Sequence, residues 1–98
     1  MIWLRYGRLI EYTHKAKDDL TSFKKSGQPA ILKKVRKLIE SIQQSPYEGV
    51  GKPEPLKHEL SGCWSRRINK EHRMIYEVSQ DKSSIYILSL KGHYLHNK

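Results

Sequence analysis

Between residues 46 and 73 the chain reads PYEGVGKPEPLKHELSGCWSRRINKEHR, and near its end stands Lys91-Gly92-His93-Tyr94. The first run gathers Glu54, Lys57, His58, Arg66, Arg67, His72 and Arg73. Charged side chains resist burial, so a small domain gains little stability from such density. Work at a phosphodiester explains it better. When RNA is cleaved through its own 2′-hydroxyl, a base takes the 2′ proton, an acid protonates the departing 5′-oxygen, and cations hold the extra negative charge of the transition state. Glu54 is the candidate base, on a backbone stiffened by Pro53 and Pro55. Lys57, three residues on, could tune that carboxylate and hold phosphate. His93 is the candidate acid, because an unperturbed imidazole titrates near pH ~6.5. Arg67 and Arg73 suit bidentate phosphate clamping. Arg66 stays open between a phosphate contact and a cross-strand ion pair. Tyr94 offers a ring for base stacking or a hydroxyl to donate. His58, His72 and His96 read as ordinary polar residues, and Trp64 as a core or rim aromatic.

Composition narrows the field. Lys and Arg number 19 against 10 Asp and Glu, leaving +9 and a pI near 9.8, with the excess spread along the chain. Such a field favours nucleic acid, an acidic protein partner, or both. The histidines show no HExxH pattern and no Cys/His ligand spacing, so no metal or cofactor is expected. There is no P-loop or dinucleotide fingerprint, and Ser61-Gly62 is not a nucleophile elbow. Cys63 is the one cysteine; an internal disulfide is impossible, which fits a reducing compartment. No apolar run approaches the ~20 residues of a membrane span. The first residues are too short and polar for a signal peptide. The expectation is a cytoplasmic protein with no membrane partner.

The elements that must position these groups are legible in outline. Ninety-eight residues suit a single domain over 1–98. Residues 8–13 read as a strand and residues 14–26 as a helix with Ala16, Leu20 and Phe23 on one face. Gly27 suits the stop of that helix and Pro29 the start of the next. Over residues 29–44, Ile31, Leu32, Val35, Leu38, Ile39 and Ile42 repeat with a helical period, and lysines cover the other side. Pro46 ends the helix, and residues 46–62 form a constrained loop. Residues 64–69, 72–80 and 83–90 read as three strands, the last two joined by an Asp81-Lys82 turn. Alternation puts Met74, Tyr76 and Val78 on one face and Arg73, Ile75 and Glu77 on the other. The order β-α-α-β-β-β predicts an α+β domain: an antiparallel sheet with two helices on one face and a bare, concave face opposite.

The run GKPEPLKH, then LSG, WSRRI, EHR and the closing KGHY closely resembles the YoeB/Txe group of toxins in the RelE toxin–antitoxin superfamily, over residues 8–94. The resemblance implies a microbial-RNase-like fold and an mRNA endoribonuclease that works on the translating ribosome. It implies neutralisation by an acidic, partly disordered antitoxin of the YefM/Phd type, homodimers, and operator DNA bound only through the toxin–antitoxin complex. Carried over residue by residue, it makes Glu54 the general base, His93 the general acid and Arg73 the charge-stabilising arginine. Arg67 and Lys57 become phosphate or ribosome contacts, and Tyr94 completes the set. Residues 95–98 extend beyond the His-Tyr pair at which such chains commonly stop, Cys63 stands where the family often has an aromatic, and residues 1–7 look extra. The alternative from composition is a non-catalytic RNA- or ribosome-binding module, or an operon regulator, using the same basic face.

Overall fold

The computed structural model describes residues 8–92. Strand β1 (Leu9–Tyr12) leads into helices α1 (His14–Lys25) and α2 (Pro29–Gln44). Strands β2 (Glu54–Pro55), β3 (Cys63–Arg67), β4 (Arg73–Val78) and β5 (Ser84–Ser89) follow, with a 3₁₀ turn at His58–Leu60. Thr13 caps α1: its Oγ1 accepts the Ala16 N–H at 3.1 Å and donates to the Leu88 carbonyl at 2.9 Å, fixing the helix to β5 as well as starting it. The other end is a Schellman turn. Gly27 N–H bonds to the Lys24 carbonyl, Gln28 N–H to that of Phe23, and Gly27 sits at φ +64°, where only glycine is unstrained. Pro29 then occupies the first turn of α2, where its missing N–H costs nothing.

The five strands form one sheet in the order β1-β5-β4-β3-β2. The sheet is mixed, not purely antiparallel: β1 runs parallel to β5, Leu9 opposite Ser84 through Tyr12 opposite Ile87. Alternation within a strand fixes which residues share a face but not its neighbour or direction. A parallel pair needs a long crossover, which the helices and remaining strands supply. The second departure is β2, two residues inside the expected loop, pairing Glu54 with Ser65 and Pro55 with Trp64. Proline is tolerated there because β2 is an edge strand.

Both helices bury their apolar stripes on one face of the sheet. Ala16, Phe23, Ile31, Val35, Leu38 and Ile42 meet Ile68, Met74, Tyr76, Ile85, Ile87 and Leu90. This core is one layer deep, as the low apolar fraction requires. Among the described residues, no helix is long and apolar enough to cross a membrane.

The β4–β5 turn carries a pH signature. Asp81 Oδ1 accepts the Ser83 hydroxyl (2.7 Å), the Ser83 N–H (3.0 Å) and the Ser79 hydroxyl (2.7 Å). These bonds, those from Ser83 foremost, lower its pKa from 3.8 to about 2. The unfolded carboxylate takes up its proton near pH ~4, the folded one near 2. The turn's contribution is therefore complete above pH ~4 and is lost as pH falls through about 2. Asp81→Asn is expected to flatten the decline of urea midpoints across that window; an unchanged slope would contradict this account.

Candidate active site

Register brings three of the predicted residues to one face. In the β3–β4 ladder Arg67 stands directly opposite Arg73, and in β2–β3 Glu54 stands opposite Ser65. Directly paired residues of an antiparallel ladder share a face, and Ser65 and Arg67 are two apart, so Glu54, Arg67 and Arg73 all lie on the face opposite the helices. Direct partners are ~4.5–5.5 Å apart and diagonal ones ~7–8 Å, so on this face Arg67 stands between Glu54 and Arg73, one strand from each. Like charges directly opposite each other destabilise a sheet. The Arg67–Arg73 pair is thus an arrangement that an anion would relieve.

These two arginines also line a hollow of about 510 Å³ with Lys34, Gly51, Lys52, Ile68, Asn69 and Lys70. Lys34 reads in the sequence as the wet side of α2 and Lys52 as part of the constrained loop over residues 46–62, with no periodic signal to mark either as a site residue. Lys52 is held at φ +53°, an uncommon conformation for a side-chain-bearing residue. Arg67 N–H donates to the Gly51 carbonyl at 2.7 Å, tying this corner to β3. A Cβ at Gly51 would meet Leu38 Cδ2 at 2.7 Å and the Arg67 carbonyl at 3.2 Å, so only glycine allows so close an approach. Lys57 follows β2 on the exposed surface, just before the 3₁₀ turn.

Arg66 faces the other way, and both readings left open for it fail. It is fully buried, and every guanidinium N–H is taken. Nε donates to the Tyr76 hydroxyl (3.1 Å), Nη1 to Ser41 Oγ (2.8 Å) and the Val50 carbonyl (3.0 Å), and Nη2 to the carbonyls of Ser45 (2.8 Å) and Glu48 (2.8 Å). No carboxylate is among these partners, and none of its donors is left for a phosphate. Its position one residue from Arg67 turns it to the opposite face by the pleat alone. There it fastens residues 45–50 against the sheet, and that segment leads directly to Glu54. The Tyr76 hydroxyl in turn donates to the Pro46 carbonyl at 2.7 Å; burial pushes the pKa of this phenol up, and Arg66 partly opposes the shift.

His93 and Tyr94 lie outside the described residues. The residue before them does not. The Gly92 carbonyl accepts the Arg73 N–H at 3.2 Å, and the Gly92 N–H donates to His72 Nδ1 at 2.9 Å. The backbone immediately preceding His93 is therefore fastened to the start of β4, where Arg73 stands. His72 is not a plain surface residue: its side chain is 14% exposed and packs edge-on against Phe23, with ring centroids 5.1 Å apart. Trp64 sits at the rim against Tyr47. Burial, with Glu77 adding, pushes the Cys63 thiol pKa up, away from the reactive thiolate form.

A small mixed sheet with a helical hairpin on one side is the architecture of known bacterial toxins. The chain superposes on a YoeB dimer subunit from Staphylococcus aureus with a TM-score of 0.80 and 39% identity, over 90% of this chain and 99% of that one. It superposes on a chain of a Staphylococcus aureus YoeB–YefM complex with a TM-score of 0.77 and 42% identity, over 89% and 99%. Toxin YoeB of Escherichia coli K12 is 53% identical over 64 residues, 65% of this chain and 74% of its own. A family model for YoeB-like toxins of bacterial type II toxin–antitoxin systems matches residues 12–94, and the chain belongs to that family.

Proposed function

We propose that this toxin is an endoribonuclease that cuts messenger RNA on the translating ribosome in the cytoplasm and so stops translation. The observation that carries the reading is the Arg67–Arg73 register pair on the face that holds Glu54, with Gly92 bonded to the Arg73 backbone. In this reaction the Glu54 carboxylate accepts the 2′-hydroxyl proton, and the 2′-oxygen bonds to the adjacent phosphorus. The bond from phosphorus to the 5′-oxygen breaks, and the protonated His93 imidazole gives that oxygen its proton. Arg73 and Arg67 take up the charge gathering on the phosphoryl oxygens. Lys57 steadies the neighbouring phosphate, and Tyr94 stacks on a flanking base. The products are a 2′,3′-cyclic phosphate and a 5′-hydroxyl, and every role is filled by a side chain.

The solved YoeB–YefM complex from Staphylococcus aureus supports an acidic antitoxin of the YefM/Phd type as partner, and the solved YoeB dimer supports self-association. A chain of +9 suits an acidic segment that orders as it gains charge-assisted hydrogen bonds. Operator DNA would be reached through that complex.

The test is cleavage of a defined message, with and without ribosomes, followed by mapping of the new ends. The expected result is a 2′,3′-cyclic phosphate on ribosome-bound message, abolished by a single 2′-deoxy substitution at the cut nucleotide. Salt-sensitive binding with no new end would favour a non-catalytic module instead.

A further inference from the structure

Strand β5 ends at Ser89, and there the ladder stops supplying partners for the backbone. The next three amides are nevertheless all satisfied, each by a side chain. Asp19 Oδ2 accepts the Leu90 N–H at 2.9 Å and the Lys91 N–H at 3.1 Å. His72 Nδ1 accepts the Gly92 N–H at 2.9 Å. Asp19 is 6% exposed and is steadied by Lys15 Nζ at 2.8 Å; the Lys91 ammonium donates to Ser22 Oγ at 2.9 Å. Chain ends ordinarily fray unless something ties them down. Here the tie is made amide by amide and reaches the residue before His93.

We propose that His72 is a positioning residue: by accepting the Gly92 amide it fixes the point from which the chain delivers the His93 imidazole. The inference deepens the acid/base reading above and rests on it. Several features fit the role. An Nδ1 that accepts a hydrogen bond carries no proton, so the neutral ring holds its proton on Nε2, the nitrogen that lies 3.8 Å from Glu71 Oε1. The edge contact with the fully buried Phe23 limits how far the ring can turn. Gly92 sits at φ +89° with open space where a Cβ would stand. Its turn is therefore held by the two hydrogen bonds, to His72 and Arg73, rather than by crowding. A misplacement of ~1 Å at a reacting group can cost about 10²-fold in rate.

The experiment compares His72→Phe, which keeps a packed ring but cannot accept, with His72→Asn, whose amide oxygen can take the place of Nδ1. Cleavage of message on programmed ribosomes is followed at saturating and half-saturating toxin. His72→Phe is expected to lower the saturated rate by about 10²-fold with half-saturation unchanged. His72→Asn should recover at least about tenfold of that loss, which restoration of fold stability alone would not do when both variants melt alike. Hydrogen exchange on the unaltered protein supplies a measurement independent of any variant: the Gly92 amide should be protected. A His72→Phe protein that cleaves like the parent, equal losses in both variants, or an unprotected Gly92 amide would overturn the inference. His93→Ala run alongside separates the two layers: if it cleaves like the parent, the acid role itself is wrong, whatever His72 does.

Discussion

Arg73→Ala is expected to slow message cleavage by about 10²–10³-fold, the range for removing one donor to developing transition-state charge, while the protein stays as stable as the parent or gains slightly. The two halves of this expectation come from one geometry. Among the described residues Arg73 makes one side-chain hydrogen bond, of 3.2 Å to the Asn69 carbonyl in an exposed setting, so its removal leaves little unsatisfied there. It also stands directly across from Arg67, and directly opposed like charges destabilise a sheet. Relief of that repulsion should appear as an unchanged or raised urea midpoint. Sites that bind charge are commonly built against stability in this way. Glu54→Gln should lose about 10²–10⁴-fold, the usual worth of a general base, also with the fold intact, because Glu54 is exposed on an edge strand. An Arg73→Ala protein that unfolds, or that cleaves normally, would contradict the assignment.

Arg66→Met should have the opposite profile. The substitution fills much of the volume but strands the Ser45, Glu48 and Val50 carbonyls and removes one donor each from the Ser41 and Tyr76 hydroxyls. Each buried group left without a partner costs about 1–3 kcal/mol, and part of the loop can turn its carbonyls to water. A net loss of about 3–5 kcal/mol is expected, a large share of the ~5–15 kcal/mol that holds a domain together. Arg66→Lys should recover little, since an ammonium has three donors and no planar fork to span both sides of the loop. Urea titration checks this. A destabilisation below about 1 kcal/mol, within the range of ordinary surface substitutions and neutral hydrogen bonds, would mean the loop does not depend on Arg66. Cleavage should fall as well, because residues 45–50 lead into the corner that presents Lys52 and Glu54.

Adjacent arginines with opposite fates show where sequence reasoning stops. The pleat guarantees that Arg66 and Arg67 face opposite ways; it does not say which face is covered by helices. The amphipathic stripe of α2 was legible because Ile31, Val35, Leu38 and Ile42 repeat with the helical period and all are buried. The two-residue strand at Glu54 was not, because prolines on both sides read as a rigid loop. The parallel pairing of β1 with β5 left no trace, since partners such as Leu9 and Ser84 lie at opposite ends of the chain. Asp19 and His72 were passed over for a related reason: a carboxylate that accepts an amide 71 positions away has no periodic signature. Glu54, Arg67 and Arg73 stand out in the sequence by residue type alone; that they share a face comes from the β2–β3–β4 register.

The account's central claim is a division of labour at one phosphodiester, with Glu54 activating the nucleophile and His93 protonating the leaving group. Replacing the bridging 5′-oxygen of the message with sulfur tests it most directly, because a thiolate leaves without a proton. On ribosomes carrying that message, His93→Ala is predicted to cleave at close to the parent rate, while Glu54→Gln and Arg73→Ala stay slow. Rescue of Glu54→Gln by the sulfur, or no rescue of His93→Ala, would contradict the account.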